Sequence, residues 1–170
     1  MKTAAAIFSL LFLAGCVHQG EYDMNGVRLD PPPEDKRFGG DGQLAMEDGL
    51  IVCAPVVIVS PDTIRVNRER TRTITFAGVQ GPSRETQRRT WDDGVRYLLG
   101  LFKEHPIVYI RPQLGADLNA QSFQGSILVP DKSGLGYFDV TQAMVGEGYL
   151  KVTDERAFQS DIIAERVKLR

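Results

Sequence analysis

Alternation of apolar and polar side chains is densest over residues 56–83, where it predicts three short β-strands in succession. An apolar run at residues 56–59 is followed by Ser60-Pro61-Asp62, which are turn-forming residues. Residues 64–66 and 73–76 then alternate with a period of two, as half-buried strands do, and a Gly-Pro loop closes the run. A meander this compact is where we expect a binding or catalytic site.

The pattern changes to that of a helix over residues 84–105. Its apolar face consists of Trp91, Val95, Leu98, Leu99 and Phe102. Further segments are a first strand at 49–59, strands at 106–111 and 125–129, a polar loop at 113–124, a short helix at 141–148 capped by Thr141, and a final helix at 154–170. Five short strands with a helix between the third and the fourth predict an α+β, mainly β fold: an OB-fold-like Greek-key barrel followed by C-terminal helices.

The N-terminal residues have a different pattern. Lys2 precedes an apolar stretch at residues 4–13, which continues into small residues and Cys16. Ten apolar residues rise only about 15 Å as a helix, half of a bilayer core, so this stretch is too short to span a membrane. A positive start, a short apolar region and small residues are typical of an export signal.

Leu13-Ala14-Gly15-Cys16 resembles the lipobox of bacterial lipoproteins. The resemblance implies that a signal peptide at residues 1–15 is removed and that Cys16 is acylated, which anchors the protein in a membrane. Val17 is not the aspartate that retains such lipoproteins at the inner membrane. An outer-membrane, periplasm-facing location is therefore favoured, with the inner membrane as the alternative. The competing interpretation is a non-lipidated signal peptide with an incidental cysteine.

Charge divides the remaining chain in two. Residues 17–50 carry eight acidic and three basic side chains, a net charge of −5, whereas residues 51–170 carry sixteen basic and fourteen acidic ones, a net of +2. A net of +2 is far below that of a dedicated nucleic-acid binder, so nucleic acid is disfavoured as a partner without being excluded. Residues 16–49 are acidic and rich in proline and glycine, which predicts a tether. The folded domain is predicted at 50–153, with a helical extension at 154–170.

Cysteine and histidine usage gives no candidate nucleophile. Once Cys16 is acylated, Cys53 is the only cysteine left, and it has no partner for an internal disulfide. Its apolar neighbours predict a buried core residue rather than a reactive thiol. His18 and His105 form no local pattern with it that is typical of a nucleophile and its base.

Four segments, in order, resemble the staphylococcal-nuclease (thermonuclease-like) family: VSPDTI at 59–64, FAGVQGPS at 76–83, FQGSIL at 123–128 and MVGEGYLKV at 144–152. The resemblance covers residues 50–153 and implies the family's OB-fold-like barrel. It also implies a possible chemistry, calcium-dependent phosphodiester hydrolysis. In that chemistry two aspartates hold the cation, a glutamate acts on water, and two arginines bind the phosphate.

The resemblance places the family's functional positions on five residues of this chain. Asp62 keeps the first metal-binding aspartate, whereas Gln80 occupies the second aspartate position and Ser83 the glutamate position. The two arginine positions fall on Thr75 and near Gln124. Only Asp62 retains the family's side chain, and it is alternatively a turn aspartate that accepts backbone hydrogen bonds.

These positions predict a lipid-anchored envelope protein whose nuclease-like domain has lost hydrolysis and serves as a binding or structural module. The expected partners are the membrane, through Cys16, and another envelope protein. An arginine-rich hairpin over 65–72 is either a recognition patch for a polyanion or a solvated tip. The alternative function is a weak or divergent metal-dependent phosphodiesterase, with Arg72, Arg84 or Arg88 replacing the lost arginines. Only that alternative requires a cofactor, Ca²⁺.

Overall fold

The computed structural model describes residues 22–23, 26–29, 45–47, 49–66, 71–131 and 136–159. This part of the chain is α+β and mainly β, as predicted. Its strands are β1 (Tyr22–Asp23), β2 (Gly26–Arg28), β3 (Ala45–Glu47), β4 (Leu50–Cys53), β5 (Pro55–Ser60), β6 (Thr63–Val66), β7 (Arg72–Phe76), β8 (Val79–Gln80), β9 (Val108–Pro112), β10 (Ser122–Pro130), β11 (Tyr137–Asp139) and β12 (Lys151–Val152). Its helices are α1 (Arg88–Glu104), α2 (Val140–Gly146) and a short α3 at 155–159.

Ten of the described strands form one mixed sheet in the order β1-β2-β5-β6-β7-β10-β9-β4-β3, and β11 also pairs with β10. The β7–β10 pair is parallel. The order is an open path that ends at β1 and β3, so the described sheet is not a closed barrel, and it has more strands than the five predicted. Strands from the N-terminal segment add to the edges, and Ala54 divides the predicted first strand into β4 and β5.

The larger core cluster lies on one face of the sheet, and a smaller buried cluster lies on β4, β9 and β10 and consists of Leu50, Val52, Tyr109 and Leu128. In register across β2, β5, β6, β7 and β10, one row of side chains consists of Val27, Ile58, Ile64, Ile74 and Phe123. All five are buried, and α1 packs its apolar face against the same core. Because side chains alternate between faces, the next row of the same strands faces away from the core.

Three strands of the sheet, β1, β2 and β3, lie within the predicted tether at 16–49. Val27 is 0% exposed, and the N–H of Leu29 donates to the carbonyl of Val56 at 3.1 Å. At Gly26, where φ is +117°, a Cβ would lie 2.3 Å from the carbonyl oxygen of Ile58. Strands of two or three residues with one buried apolar side chain leave little periodic signal. Residues 1–21, which include Cys16, and residues 30–44 lie outside the described residues.

Helix α1 confirms the predicted helix but begins later than expected. Trp91, Val95, Leu98 and Phe102 are buried on its inner face. The helix begins at Arg88 rather than near residue 84, because the carbonyl of Ser83 first closes a turn by accepting from the N–H of Gln87 at 2.8 Å.

Two further boundaries differ from the predictions. The residues before 125 were expected to be loop, but Ser122–Gln124 belong to β10, where they pair with β7. Helix α2 is capped by Asp139, which accepts from the N–H of Gln142 at 3.0 Å. Thr141, the expected cap, is buried and accepts from the N–H of Ile127 at 3.5 Å. Gly148, at a φ of +77°, follows the end of this helix.

Cys53 has a fully buried side chain, and burial raises the pKa of its thiol. An unfolded chain releases this proton at a pKa of about 8.5, so the neutral thiol contributes stability that is complete below that pH and is lost as pH rises. We expect the free energy of unfolding to fall by up to about 1.4 kcal/mol per pH unit above pH 9 from this residue alone. Urea unfolding at pH 8 to 10 measures the slope, and Cys53→Ala, the control, should show a shallower one. Equal slopes would contradict the prediction.

Candidate functional site

Asp62 lies in the turn between β5 and β6, and three donors hold its carboxylate. The N–H of Gly81 donates to Oδ2 at 2.7 Å across 19 residues of sequence. The hydroxyls of Ser60 and Thr63 donate to Oδ1 at 2.5 and 3.3 Å. The backbone oxygen of Asp62 accepts from the N–H of Phe76 at 2.8 Å. Asp62 therefore connects its own turn to the end of β7 and to the loop after β8.

Gly81 approaches this carboxylate so closely that a side chain would push it by a few tenths of an ångström. A Cβ built on Gly81 would lie 3.0 Å from Cγ of Asp62 and 3.2 Å from both carboxylate oxygens. The carboxylate is thus covered on one side by backbone and linked to two neighbouring hydroxyls. This is the geometry of an aspartate that fixes two loops together.

Thr75 and Gln124 are direct neighbours in the sheet. Thr75 of β7 is in register with Thr63 of β6 on one side and with Gln124 of β10 on the other. Paired side chains share a face, so these three form a polar row on the outer face. The structure thus brings together the two positions at which the resemblance places arginines, next to the turn of Asp62. Both carry uncharged side chains.

Gln80 and Ser83 lie on the far side of the Asp62 turn. Gln80 is exposed in β8 and pairs with Lys151 of β12. Ser83 is exposed, and its hydroxyl accepts from the N–H of Glu85 at 3.3 Å. Gln80 and Ser83 thus flank in sequence the Gly81 that donates to Asp62, and Asp62 is the only one of the five candidate residues with a charged side chain.

The arginines considered as replacements have contacts elsewhere. Arg72 donates to the carbonyls of Asn119 and Ala120, both at 2.8 Å. Its register partner is Val66, on the core-facing side of the sheet, so it points away from the row of Thr75. Arg72 therefore holds the loop before β10 and does not substitute for an arginine at Thr75.

Arg84 and Arg88 are also engaged near α1. The guanidinium of Arg84 lies 4.8 Å from the ring centroid of Trp91, a cation–π contact. The exposed Arg88 forms an ion pair of 3.9 Å with the half-buried Asp92, and such a surface pair adds little stability. Neither contact directs a guanidinium toward Asp62.

The candidate side chains of this region can form hydrogen bonds, but only that of Asp62 is charged. Among the described residues, no group of three or more His, Cys, Asp or Glu side chains is placed to hold a metal ion. Threonine hydroxyls and the two glutamine amides offer donors and acceptors on an accessible surface. Such a surface suits binding of a polar partner.

Replacing Asp62 tests its role in joining the loops. Hydrogen bonds to a charged group contribute about 1.5–3 kcal/mol each when partly buried, and Asp62→Ala also leaves the Gly81 N–H without its acceptor. We expect Asp62→Ala to lower the free energy of unfolding by roughly 2–3 kcal/mol. Urea unfolding followed by the fluorescence of Trp91 measures the change.

The control for that prediction is Asp93→Ala on α1. Asp93 pairs with Arg96 at 3.4 Å, and both side chains are exposed. An exposed pair of this kind contributes about 0–1 kcal/mol, so the control should be nearly neutral. Equal effects of the two substitutions would mean that the Asp62 bonds contribute no more than a surface ion pair.

The sequence analysis missed Gly81 and Ser60 as partners of Asp62, and it missed an outer-face row that contains Arg28. Arg28 is exposed in β2, which pairs with β5. A turn motif of the Ser-x-Asp type was a signal for the first contact. The second depends on strand register within a segment that was expected to be a tether.

Within the described residues, none of the helices is both long and apolar enough to cross a membrane. A scan of protein-family models gives no match to this chain, and a search of curated proteins finds no significant relative.

Proposed function

We propose that this chain is a lipid-anchored cell-envelope protein whose nuclease-like, OB-fold-like domain acts as a binding or structural module without hydrolytic activity. The anchor is the acyl group on Cys16, and the location is the periplasmic side of the outer membrane. The partner of the domain is another envelope protein.

The OB-fold-like assignment is supported by the strand connections. β5, β6 and β7 form an antiparallel meander, β7 pairs in parallel with β10, and β10 pairs with β9. β9 then pairs with β4, which is separated from β5 only by Ala54. The path thus ends at β4, next in the chain to β5 from which it started, and α1 lies in the chain between β8 and β9. This is the order of elements that the resemblance implies.

The observation that carries the proposal is that the Asp62 carboxylate accepts hydrogen bonds from within the protein. It accepts from the N–H of Gly81 at 2.7 Å and from two hydroxyls. Thr75 and Gln124 occupy the adjacent row without a guanidinium. Removing one group that stabilises developing charge costs orders of magnitude in rate, and here several are replaced together. The region keeps a binding surface and loses the means of hydrolysis.

A cleavage assay tests the absence of activity. Mature protein is incubated with single-stranded DNA and RNA in Ca²⁺, Mg²⁺ or Mn²⁺, and we expect no cleavage above background. The alternative, a weak phosphodiesterase, is favoured by the register of Thr75 and Gln124 beside the Asp62 turn. It predicts metal-dependent cleavage that Asp62→Ala abolishes, and that result would overturn the proposal.

A cross-linking pull-down from detergent extracts tests the binding role. We expect recovery of a specific envelope protein, lost in Gln124→Glu on the polar row and retained in the control Lys103→Glu, at an exposed position of α1. Recovery of nothing above background would count against the binding role. Mass spectrometry of the mature protein tests the anchor: an unacylated Cys16 would remove the basis for the location.

A further inference from the structure

Two arginines share the outer face of the sheet close to its N-terminal edge. Arg28 of β2 and Arg65 of β6 lie on either side of Val57 in β5, each in direct register with it. Neighbouring strands lie about 4.8 Å apart, so the two arginine backbones are about 10 Å apart. We call Arg28, Val57 and Arg65 the basic row.

The basic row faces away from the core. The adjacent row in the same strands contains Val27, Ile58 and Ile64, each 0% exposed. Because side chains alternate in a strand, Arg28 and Arg65 point to the opposite face. Within the described part of the chain, neither arginine forms an ion pair. A half-buried valine flanked by two cations therefore forms an accessible surface.

The N-terminal segment enters the sheet next to this row. β1, which begins at Tyr22, pairs with β2 at the edge of the sheet. Only residues 17–21 separate Tyr22 from Cys16, and six residue steps extend to about 20 Å at most. Residues 17–21, which we call the leash, are thus all that links Cys16 to β1, so the β1–β2 edge cannot move far from the acyl group.

Resting on the proposed acylation of Cys16, we infer that the basic row lies against the membrane that carries the anchor and contacts the phosphate groups of anionic lipids. A phosphate between the two arginines relieves the repulsion between them, and Val57 supplies an apolar contact at the headgroup level. The short leash keeps the domain near the membrane, and the basic row orients the outer face of the sheet toward it.

The size of the effect fits an anchored protein. An arginine close to an anionic leaflet favours the bound state on the order of fivefold, so two give roughly 25-fold. That factor is too small to hold a free protein on a membrane. It is large enough to orient a domain whose leash keeps the local lipid concentration high.

The experiment uses the full acylated protein in vesicles of phosphatidylcholine with or without about a third phosphatidylglycerol, a fraction chosen to give a strongly negative surface. Thr73, in register with Arg65 on the outer face, is replaced by cysteine and labelled with a fluorophore. Cys53 is fully buried, so the label is selective. Quenching by a nitroxide on the lipid headgroup reports contact of this face with the membrane.

We expect strong quenching with phosphatidylglycerol that weakens in high salt. Arg28→Glu with Arg65→Glu should reduce it to the level of phosphatidylcholine alone, whereas Arg88→Glu with Arg89→Glu, an equal charge change on α1, should leave it unchanged. Inserting about twenty Gly and Ser residues before Glu21 should lower the effective concentration roughly tenfold and reduce quenching.

Several results would overturn the inference. One is quenching of the same strength with and without phosphatidylglycerol. Another is equal quenching in the two double arginine variants. A third is a single-stranded RNA that displaces the protein from the vesicles and whose binding requires Arg28 and Arg65. A vesicle flotation assay distinguishes failure of the inferred orientation from failure of the proposed acylation. Protein that fails to float with vesicles lacks the proposed acylation, whereas protein that floats without quenching has the anchor and another orientation.

Discussion

Gly78→Ala is expected to lower the free energy of unfolding by about 3–5 kcal/mol. Gly78 has a φ of +69°, which costs a residue with a Cβ about 1–2 kcal/mol. The Cβ would also lie 2.5 Å from the carbonyl oxygen of Asp154 and 2.5 Å from the nitrogen of Phe158. Both are backbone atoms, so the segment itself must move.

That segment is held to Gly78 by several contacts. The N–H groups of Thr153 and Asp154 donate to the carbonyl of Gly78 at 2.9 and 3.1 Å. Asp154 caps α3 by accepting from the N–H groups of Arg156 and Ala157. Moving α3 away from the β7–β8 turn thus loses hydrogen bonds together with the packing of its apolar side chains on the core.

Thermal and urea unfolding, followed through the buried Trp91, measure the loss. A drop of this size should lower the melting temperature by roughly 10 °C or more. The control is Gly100→Ala, inside α1, where a Cβ would meet nothing within 4 Å. Alanine there should stabilise the helix by up to about 1 kcal/mol. A neutral Gly78→Ala would mean that α3 does not pack on this turn as the structure shows.

Periodicity predicted the elements that are long enough to show a buried and an exposed face over several helical turns or several strand residues. Helix α1 has four buried apolar residues at helical spacing, and β6 and β7 alternate over four and five residues. Long elements repeat their pattern often enough for it to exceed chance. Their existence and approximate bounds were therefore predictable, although the turn at Ser83 shifted the start of α1.

Contacts between distant residues were not predictable in the same way. The bond from Gly81 to Asp62 depends on how two turns meet, and the row that joins Thr75 to Gln124 depends on a parallel register. Local sequence gives neither. The resemblance named these positions as a group, but whether arginines from elsewhere reach them depends on side-chain contacts, such as that of Arg72 with the loop before β10.

The edge strands illustrate the opposite failure, in which composition pointed away from structure. Residues 16–49 are polar and acidic overall, yet β2 places Val27 in the core between Tyr22 and Ile58 in register. One buried side chain is enough to fix a short edge strand when a longer strand already presents unpaired N–H and C=O groups. Such a strand depends on the sheet that it joins rather than on its own sequence.

Val27→Asp is expected to destabilise the protein by about 3–5 kcal/mol, because it buries a carboxylate without a partner beside Ile58. Val27→Ala, which removes two methyl groups, should cost about 1–2 kcal/mol and keeps the test informative if the aspartate variant fails to fold. The control is Val152→Asp, at a position 36% exposed, which should change stability by about 0.5 kcal/mol at most. Urea unfolding measures all three. If residues 16–49 were only a tether, both substitutions at Val27 would be as mild as the control. Loss of stability there would instead mean that the domain begins within ten residues of Cys16, which is the condition for a short leash.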